Sequence, residues 1–294
     1  MISVGNLSLG GTGKTPVVSW VVRELIAEGE RPSILSRGYA RPSSREGVVV
    51  VSDGDRVLAG FDISGDEPLM LARQLPGCAV LVSPNRYLAG ALAERRLGCT
   101  VHVLDDGFQH LQLARDLDLV VLRREDLRDR VMPFGRLREP VSALAHADAI
   151  LVSEEDEAQV ISALPAAVRV FTMRRTLADP RAVAPWGEPV ELDGRPVAVF
   201  AGIGRPEQFF DDVRAAGWDV VATFPFADHY RYTRRAIERL CQDAAESGAA
   251  MLLTTEKDAA RLGGIPTALP IAFVPLAVGF DDEQGLRMLL SGVR

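Results

Sequence analysis

Gly10-Gly11-Thr12-Gly13-Lys14-Thr15 constrains this chain more than any other stretch. It sits between an apolar stub, Ile2-Ser3-Val4-Gly5-Asn6, and an apolar segment running from Thr15 to Ala27. Successive backbone amides in such a loop can point into one concavity and bind phosphate oxygens. Lys14 adds positive charge toward the β and γ phosphates, and the Thr15 hydroxyl can ligate Mg2+. The full pattern G-x-x-x-x-G-K-[ST] departs at its first position, where Ser8 replaces glycine. Serine is tolerable there if the backbone keeps a negative φ. A bare glycine-rich turn is the competing account. It does not explain the lysine and threonine in this order, after a strand and before a helix. Pro16 fits the first helical turn, where no amide donor is needed.

Beyond the loop, short apolar runs alternate with helical stretches. SILS, VVVVS, AVLVS, TVHVLD, LDLVVL and ADAILVS read as strands, with helices such as Glu67 to Gln74 and Tyr87 to Arg96 among them. This rhythm predicts a mostly parallel sheet wrapped by helices over residues 1–176. Residues 177–196, LADPRAVAPWGEPVELDGRP, hold four prolines and no helical period. They read as a linker with a small hairpin closing at Leu192-Asp193-Gly194. Alternation resumes over 197–294, a second, smaller α/β domain. A length of 294 residues accommodates both, and 47% hydrophobic with 25% charged residues gives each a core. The net charge of −7 argues against broad nucleic-acid binding. Cys78, Cys99 and Cys241 form no C-x-x-C and read as buried apolar residues of a reducing compartment. No apolar run reaches the ~18 residues of a spanning helix. No signal peptide is visible, so the chain as given reads as cytoplasmic, with membrane contact possible through a surface patch.

Further residues carry candidate chemistry. Asp105 and Asp106 end the apolar run Val101 to Leu104, where a carboxylate meets Mg2+ beside the phosphates. Asp66, in Gly65-Asp66-Glu67-Pro68, reads first as a helix cap and second as a base that deprotonates an acceptor hydroxyl. His229, in Ala227-Asp228-His229-Tyr230, is equally a structural loop histidine or a catalytic one. His102 and His146 read as structural, and His110 as bordering the metal site. Arg37, Arg86, Arg136 and Arg138 lie at strand ends or in loops, where arginines can clamp phosphates. The run RREDLRDR (123 to 130) reads as a solvated face. Thr254-Thr255-Glu256-Lys257-Asp258 has lysine and aspartate adjacent, unlike the N-K-x-D guanine-reading motif, and carries no argument for GTP.

Taken together and in order, VGNLSLGGTGKTP, SRGYA, GDEPLMLA, DDGFQH, GRLREP, AGIGRPEQFF, ADHYRY and TEKDAARL closely resemble the tetraacyldisaccharide 4'-kinase family of lipid A biosynthesis. The resemblance runs from Ile2 to near the C-terminus. It implies a P-loop NTPase-type α/β domain, a smaller C-terminal α/β domain and a β linker. It also implies transfer of the γ-phosphoryl of ATP, with Mg2+, to the 4'-hydroxyl of the lipid A disaccharide 1-phosphate at the cytoplasmic face of the inner membrane. By the same resemblance, Gly10, Gly11, Thr12, Gly13, Lys14 and Thr15 bind nucleotide, and a small hydroxyl residue at position 8 is usual. Thr15, Asp105, Asp106 and Glu139 fall near the metal. Lys14 and Arg138 serve phosphoryl transfer, Asp66 becomes the general base, and His229 becomes its partner when the domains close. Family members carry an apolar anchoring helix ahead of the loop. It is absent from the chain as given, and the expectation is peripheral association.

Three other readings compete. A GTPase or ATPase switch, such as a metal-insertion chaperone, shares Lys14, Thr15 and Asp105 but needs neither Asp66 nor His229. A kinase or ligase with a soluble acceptor is the second, and a nucleotide-binding regulator the third. The GDEP and ADHY motifs favour acceptor chemistry.

Overall fold

A computed structural model describes residues 1–10, 13–38, 47–165 and 168–293. The strands of the first half are β1 (Ile2–Asn6), β2 (Pro32–Ser36), β3 (Val49–Asp53), β4 (Ala79–Val82), β5 (Val101–Asp105), β6 (Leu117–Leu122) and β7 (Ala149–Ser153). Between them run α1 (Lys14–Ala27), α2 (Phe61–Ser64), α3 (Asp66–Gln74) and α4 (Arg86–Leu97), and α5 (Glu157–Ala163) follows β7. The second half holds β8 (Val170–Leu177), β9 (Arg181–Ala182), β10 (Val197–Ala201), β11 (Val220–Pro225), β12 (Met251–Thr255), β13 (Ile271–Val274) and β14 (Leu276–Phe280). Its helices are α6 (Pro206–Ala215), α7 (Arg234–Glu246), α8 (Glu256–Arg261) and α9 (Glu283–Ser291).

Two sheets form. The larger has the order β14-β8-β7-β6-β1-β5-β2-β4-β3, and the smaller β11-β10-β12-β13-β9. In the larger, β1 pairs in parallel with β5 and β6, β2 with β4 and β5, and β7 with β6 and β8; β3 is antiparallel to β4. Every residue of β1 and β6 is buried, as continuous apolar strands covered on both faces should be. The strand order reverses at β1, with β2 and β4 on one side and β6 and β7 on the other. Ligands of open parallel sheets bind beyond the carboxyl ends of strands at such a point.

The chain divides into two compact units, Met1–Arg175 with Val278–Arg294, and Thr176–Ala277. The last strand and helix, read from sequence into the smaller domain, therefore belong with the first unit. There Phe280 packs edge-on against Trp20 at 4.9 Å, and Arg287 pairs with Glu24 at 2.7 Å. Asp281 secures the return, its amide donating to the Thr172 carbonyl at 3.0 Å. The stretch 177–196 is partly built into the second sheet, because β9 pairs antiparallel with β13. Its hairpin closes earlier than Leu192, with Gly187 N donating to Ala182 O at 2.9 Å and Ala182 N to Glu188 O at 2.8 Å. Asp193 and Gly194 form a separate tight turn with φ of 50° and 69°. Among the described residues no helix is long and apolar enough to cross a membrane. The three cysteines are free and buried, as expected.

Candidate active site

The site of the first unit grows from the carboxyl end of β1. Ser8 forms an antiparallel bridge with Leu137, flanked by Leu9 N to Arg136 O at 2.9 Å and Arg138 N to Leu7 O at 2.7 Å. Position 8 is thus paired strand rather than a tight turn, and it is absent from the positive-φ residues of the described chain. That is why serine serves where the pattern has glycine. Gly10 and Gly13 do need to be glycines, with φ of 104° and 85°. A Cβ at either would meet nothing within 4 Å, so these two positions face open space. Gly13 caps α1, placing Lys14 and Thr15 in its first turn. Gly11 and Thr12 lie outside the described residues.

Lys14 Nζ donates to Asn6 Oδ1 at 2.8 Å and lies 3.3 Å from Asp106. Arg138 grips the same carboxylate in bidentate fashion, at 2.6 and 2.7 Å, and also donates to Asn6 Oδ1. Desolvation alone would raise Asp106, but the bonds from Arg138 and the charge of Lys14 outweigh it and hold it at about 2. Asp105, the last residue of β5, is buried, with Ser36 donating to it at 3.2 Å. Desolvation, then the neighbouring charge of Glu67, pushes it up to about 7 against the pull of Lys14. Adjacent in sequence, the two carboxylates are divided in chemistry because Asp106 adopts a left-handed φ of 60°.

Two glycines make that turn possible. A Cβ on Gly5 would lie 2.4 Å from Phe108 Cβ, and one on Gly107 would lie 2.5 Å from Leu104 Cβ. The Asp106 amide thereby reaches the Val4 carbonyl at 3.0 Å. Gln109 Nε2 completes the cluster, donating to Asn6 O at 3.0 Å and reaching Glu139 at 3.4 Å.

The residues present suit a phosphate-bearing ligand with a divalent cation. Ser8 Oγ, Gln109 Oε1 and Arg138 Nε, all around the head of β1, are buried without a hydrogen-bond partner, which marks groups a ligand or water can satisfy. Among the described residues no three His, Cys, Asp or Glu side chains converge as a metal-binding group. Thr15, Asp105, Asp106 and Glu139 therefore do not form an all-protein cage. Mg2+ beside phosphates needs only one or two carboxylates. Asp106 is already held by cations of the chain, so Asp105, desolvated and facing like charge, is the better fit.

Asp66 is the first residue of α3, not its cap: that position is Gly65, and no side chain caps the helix. It is buried, and its Oδ1 accepts the Glu67 amide at 2.9 Å. The next residue, Glu67, adds its negative charge to the field that acts on Asp105. Arg86, buried at the start of α4, has its pKa lowered by burial and then by Arg37, while Asp106 and Asp105 oppose the shift. Arg86 thus lies in the field of the aspartate pair, and Arg37 acts on it in turn. His102 is structural, bridging Ser33 at 2.6 Å and Glu94 at 3.0 Å.

In the second unit, the loop after β11 folds over the carboxyl end of β10. Phe226 N donates to Ala201 O at 2.8 Å, and His229 N to Gly202 O at 3.1 Å. His229 has a left-handed φ of 58°, and its Nε2 lies 3.8 Å from Asp228. A non-glycine residue held in that region marks a position fixed by its surroundings. The Thr254 to Asp258 motif has a different use. Asp258 is fully buried and accepts from Gly202 N at 3.1 Å, Tyr232 OH at 2.9 Å, Arg261 at 2.9 Å and Thr255 at 2.6 Å. With every bond internal, it holds the strand ends together and reads no base.

Sequence reasoning passed over Asn6, Ser36, Glu67 and Gln109. The available signal was a polar residue ending an apolar strand, as Asn6 ends β1 and Ser36 ends β2.

A glycine loop entering a helix, its lysine facing the carboxylate-tipped neighbouring strand at a sheet switch point, defines a P-loop nucleotide-binding protein. Comparison with known proteins narrows the class. The family described as LpxK, tetraacyldisaccharide-1-P 4'-kinase, matches residues 1–293. The chain is 41% identical to a tetraacyldisaccharide 4'-kinase of Geobacter metallireducens, across 100% of this chain and 88% of that one. It is 39% identical to that of Desulfotalea psychrophila, across 92% and 80%. The crystal structure of the "apo" form of LpxK from Aquifex aeolicus in complex with ATP superposes with a TM-score of 0.83 at 34% identity, covering 99% of this chain and 87% of that one. The chain belongs to the tetraacyldisaccharide 4'-kinase family.

Proposed function

We propose that this protein moves the γ-phosphoryl of ATP to the 4'-hydroxyl of a tetraacyldisaccharide 1-phosphate, a step of lipid A biosynthesis, at the cytoplasmic face of the inner membrane. One observation carries the reading: Lys14 and Arg138 converge on Asp106 at the head of β1, in a chain the kinase family matches from end to end. Phosphoryl transfer asks for positioning and charge neutralisation more than covalent chemistry. Lys14 and the loop amides of Gly10 to Thr15 hold the phosphates. Arg138 neutralises charge on the transferring group, and the buried Arg86 with Arg37 adds to the positive field. Asp105, with Thr15, would hold Mg2+, which would supply charge neutralisation at the phosphates. Asp106 keeps Lys14 and Arg138 oriented, and Glu139 is held near them through Gln109.

Asp66 takes the proton from the acceptor hydroxyl, and His229 assists the same transfer. The support for Asp66 is its burial and its place next to Glu67, whose charge acts on Asp105; for His229, its fixed left-handed backbone and the motif around it. The experiment is phosphotransfer from γ-labelled ATP with Mg2+ to the tetraacyldisaccharide 1-phosphate in detergent micelles. Label appearing in the lipid is the expected result, and its absence at saturating ATP overturns the reading.

A further inference from the structure

The segment from Arg128 to Arg136, Arg-Asp-Arg-Val-Met-Pro-Phe-Gly-Arg, is not consumed by the chemistry above. Val131, Met132, Pro133 and Phe134 are all exposed, Met132 at 46% and Phe134 at 83%. Four consecutive outward residues, three of them large and apolar, are costly to leave in water unless a partner covers them. Arginines flank them on both sides. Arg136 pairs with Asp129 at 2.8 Å, whereas Arg128 and Arg130 are exposed and form no ion pair among the described residues. In a chain of net charge −7, this is a local basic rim around an apolar tip.

The tip is also tied to the site. Leu137 N donates to Arg130 O at 3.0 Å and Met132 N to Leu137 O at 2.9 Å, closing the segment into a compact loop. Leu9, 49% exposed, is bonded through its amide to Arg136 O. Arg138 follows two residues later, on Asp106. Whatever the loop docks on is therefore brought to the mouth of the phosphate site.

We propose that this loop is a membrane-docking element, with Phe134 and Met132 entering the acyl region of an anionic bilayer while Arg128 and Arg130 meet its headgroups. The inference rests on the reading that the acceptor is a lipid. Charge and layout together select this occupant: exposed arginines collar a tip of large apolar side chains, which matches a surface that is anionic at its headgroups and apolar directly beneath them, as an anionic leaflet is. An aromatic tip with a basic collar is the composition of an interfacial anchor.

The test is flotation of the full chain with vesicles of phosphatidylcholine containing anionic phosphatidylglycerol, alongside vesicles of phosphatidylcholine alone. Wild type should float with the anionic vesicles. Phe134→Ser/Met132→Ser and Arg128→Gln/Arg130→Gln should each weaken partitioning by about tenfold. Kinase turnover on micelle-dispersed substrate should stay near wild type in both variants, so failure of docking and failure of the kinase reading are told apart. As a gain of signal, Phe134→Trp should show a blue-shifted emission on vesicle addition, quenched by lipids brominated in the acyl chain. Wild type that stays with the unbound fraction, variants that float like wild type, or an unshifted Phe134→Trp emission overturns the proposal. So does a concentration-dependent dimer that Phe134→Ser/Met132→Ser dissolves.

Discussion

The aspartate pair shows how one residue's backbone decides its chemistry. Asp105 continues the strand into a desolvated pocket and is pushed up to about 7, while Asp106 turns left-handed into two cations and is held at about 2. The folded chain without ligand thus keeps a proton on Asp105 that the unfolded chain, with an ordinary carboxylate pKa, has released. Stability must fall as pH rises between about 4 and about 7 on this account. Asp105→Asn should flatten that slope and melt higher than wild type at pH 8 without ligand, while losing Mg2+-dependent turnover; thermal melts across pH read the first and phosphotransfer the second. For Asp106 the sign is opposite: its contribution is present above the ordinary carboxylate pKa and is lost as pH falls toward 2. Asp66 makes a separate prediction. If it is the base, Asp66→Asn should lower turnover about 10²- to 10⁴-fold with ATP affinity, read by calorimetry, within a few-fold of wild type. Turnover equal to wild type would remove it from the mechanism.

At the scale of elements, the packing between β1 and the turn after β5 is what aligns phosphate loop and carboxylates. Gly5 and Gly107 allow it by letting the chains approach where a Cβ would collide with Phe108 or Leu104. Gly5→Ala should destabilise by about 1–3 kcal/mol, the usual result of forcing a methyl into a filled core. That shows as a melting temperature lower by several degrees, and nucleotide affinity should fall with it because the turn moves. The elements themselves were legible in sequence: β5, β6 and β7 are apolar runs of strand length, and Thr15 to Ala27 has the apolar density of a helix buried on much of its surface. The approach of Lys14 to the carboxylates at the end of β5 was legible because strand-loop-helix chemistry fixes their spacing. Asn6 and Gln109 were not, since their partners lie far along the chain and no local pattern announces them. The cap reading of Asp66 differed from the structure by one residue, because Gly65 with φ of 85° takes the cap position. Asp258 had the look of a nucleotide motif and is a fold element, a distinction that only its internal bonds make.

At the scale of the molecule, the smaller unit is an insertion. The chain leaves the nine-stranded sheet through β8 and returns through β14, its neighbour in that sheet. Ala178 N donates to Pro275 O at 2.9 Å and Asp281 N to Thr172 O at 3.0 Å, so exit and return run antiparallel, side by side. Sequence reading assigned everything after residue 196 to one domain because apolar alternation says where strands are, not which sheet they join. The antiparallel exit and return give a test. Replacing residues 179–274 by a two-residue Asn-Gly turn asks the chain to close only a hairpin, a connection that such strands accept. The first unit keeps its own core, the phosphate loop, Asp66, the aspartate pair and Arg138. The shortened protein should therefore melt cooperatively and bind ATP within about tenfold of the full chain, as a compact unit with its own core can. It should show no phosphotransfer, because His229 is gone. Full turnover by the shortened protein would exclude His229 and the whole second unit from the chemistry. A non-cooperative melt would mean that the first unit depends on the insertion for its fold. The substitution His229→Ala in the full chain completes the argument: with the fold intact, a turnover loss that adding Asp66→Asn does not deepen places both side chains on one proton transfer.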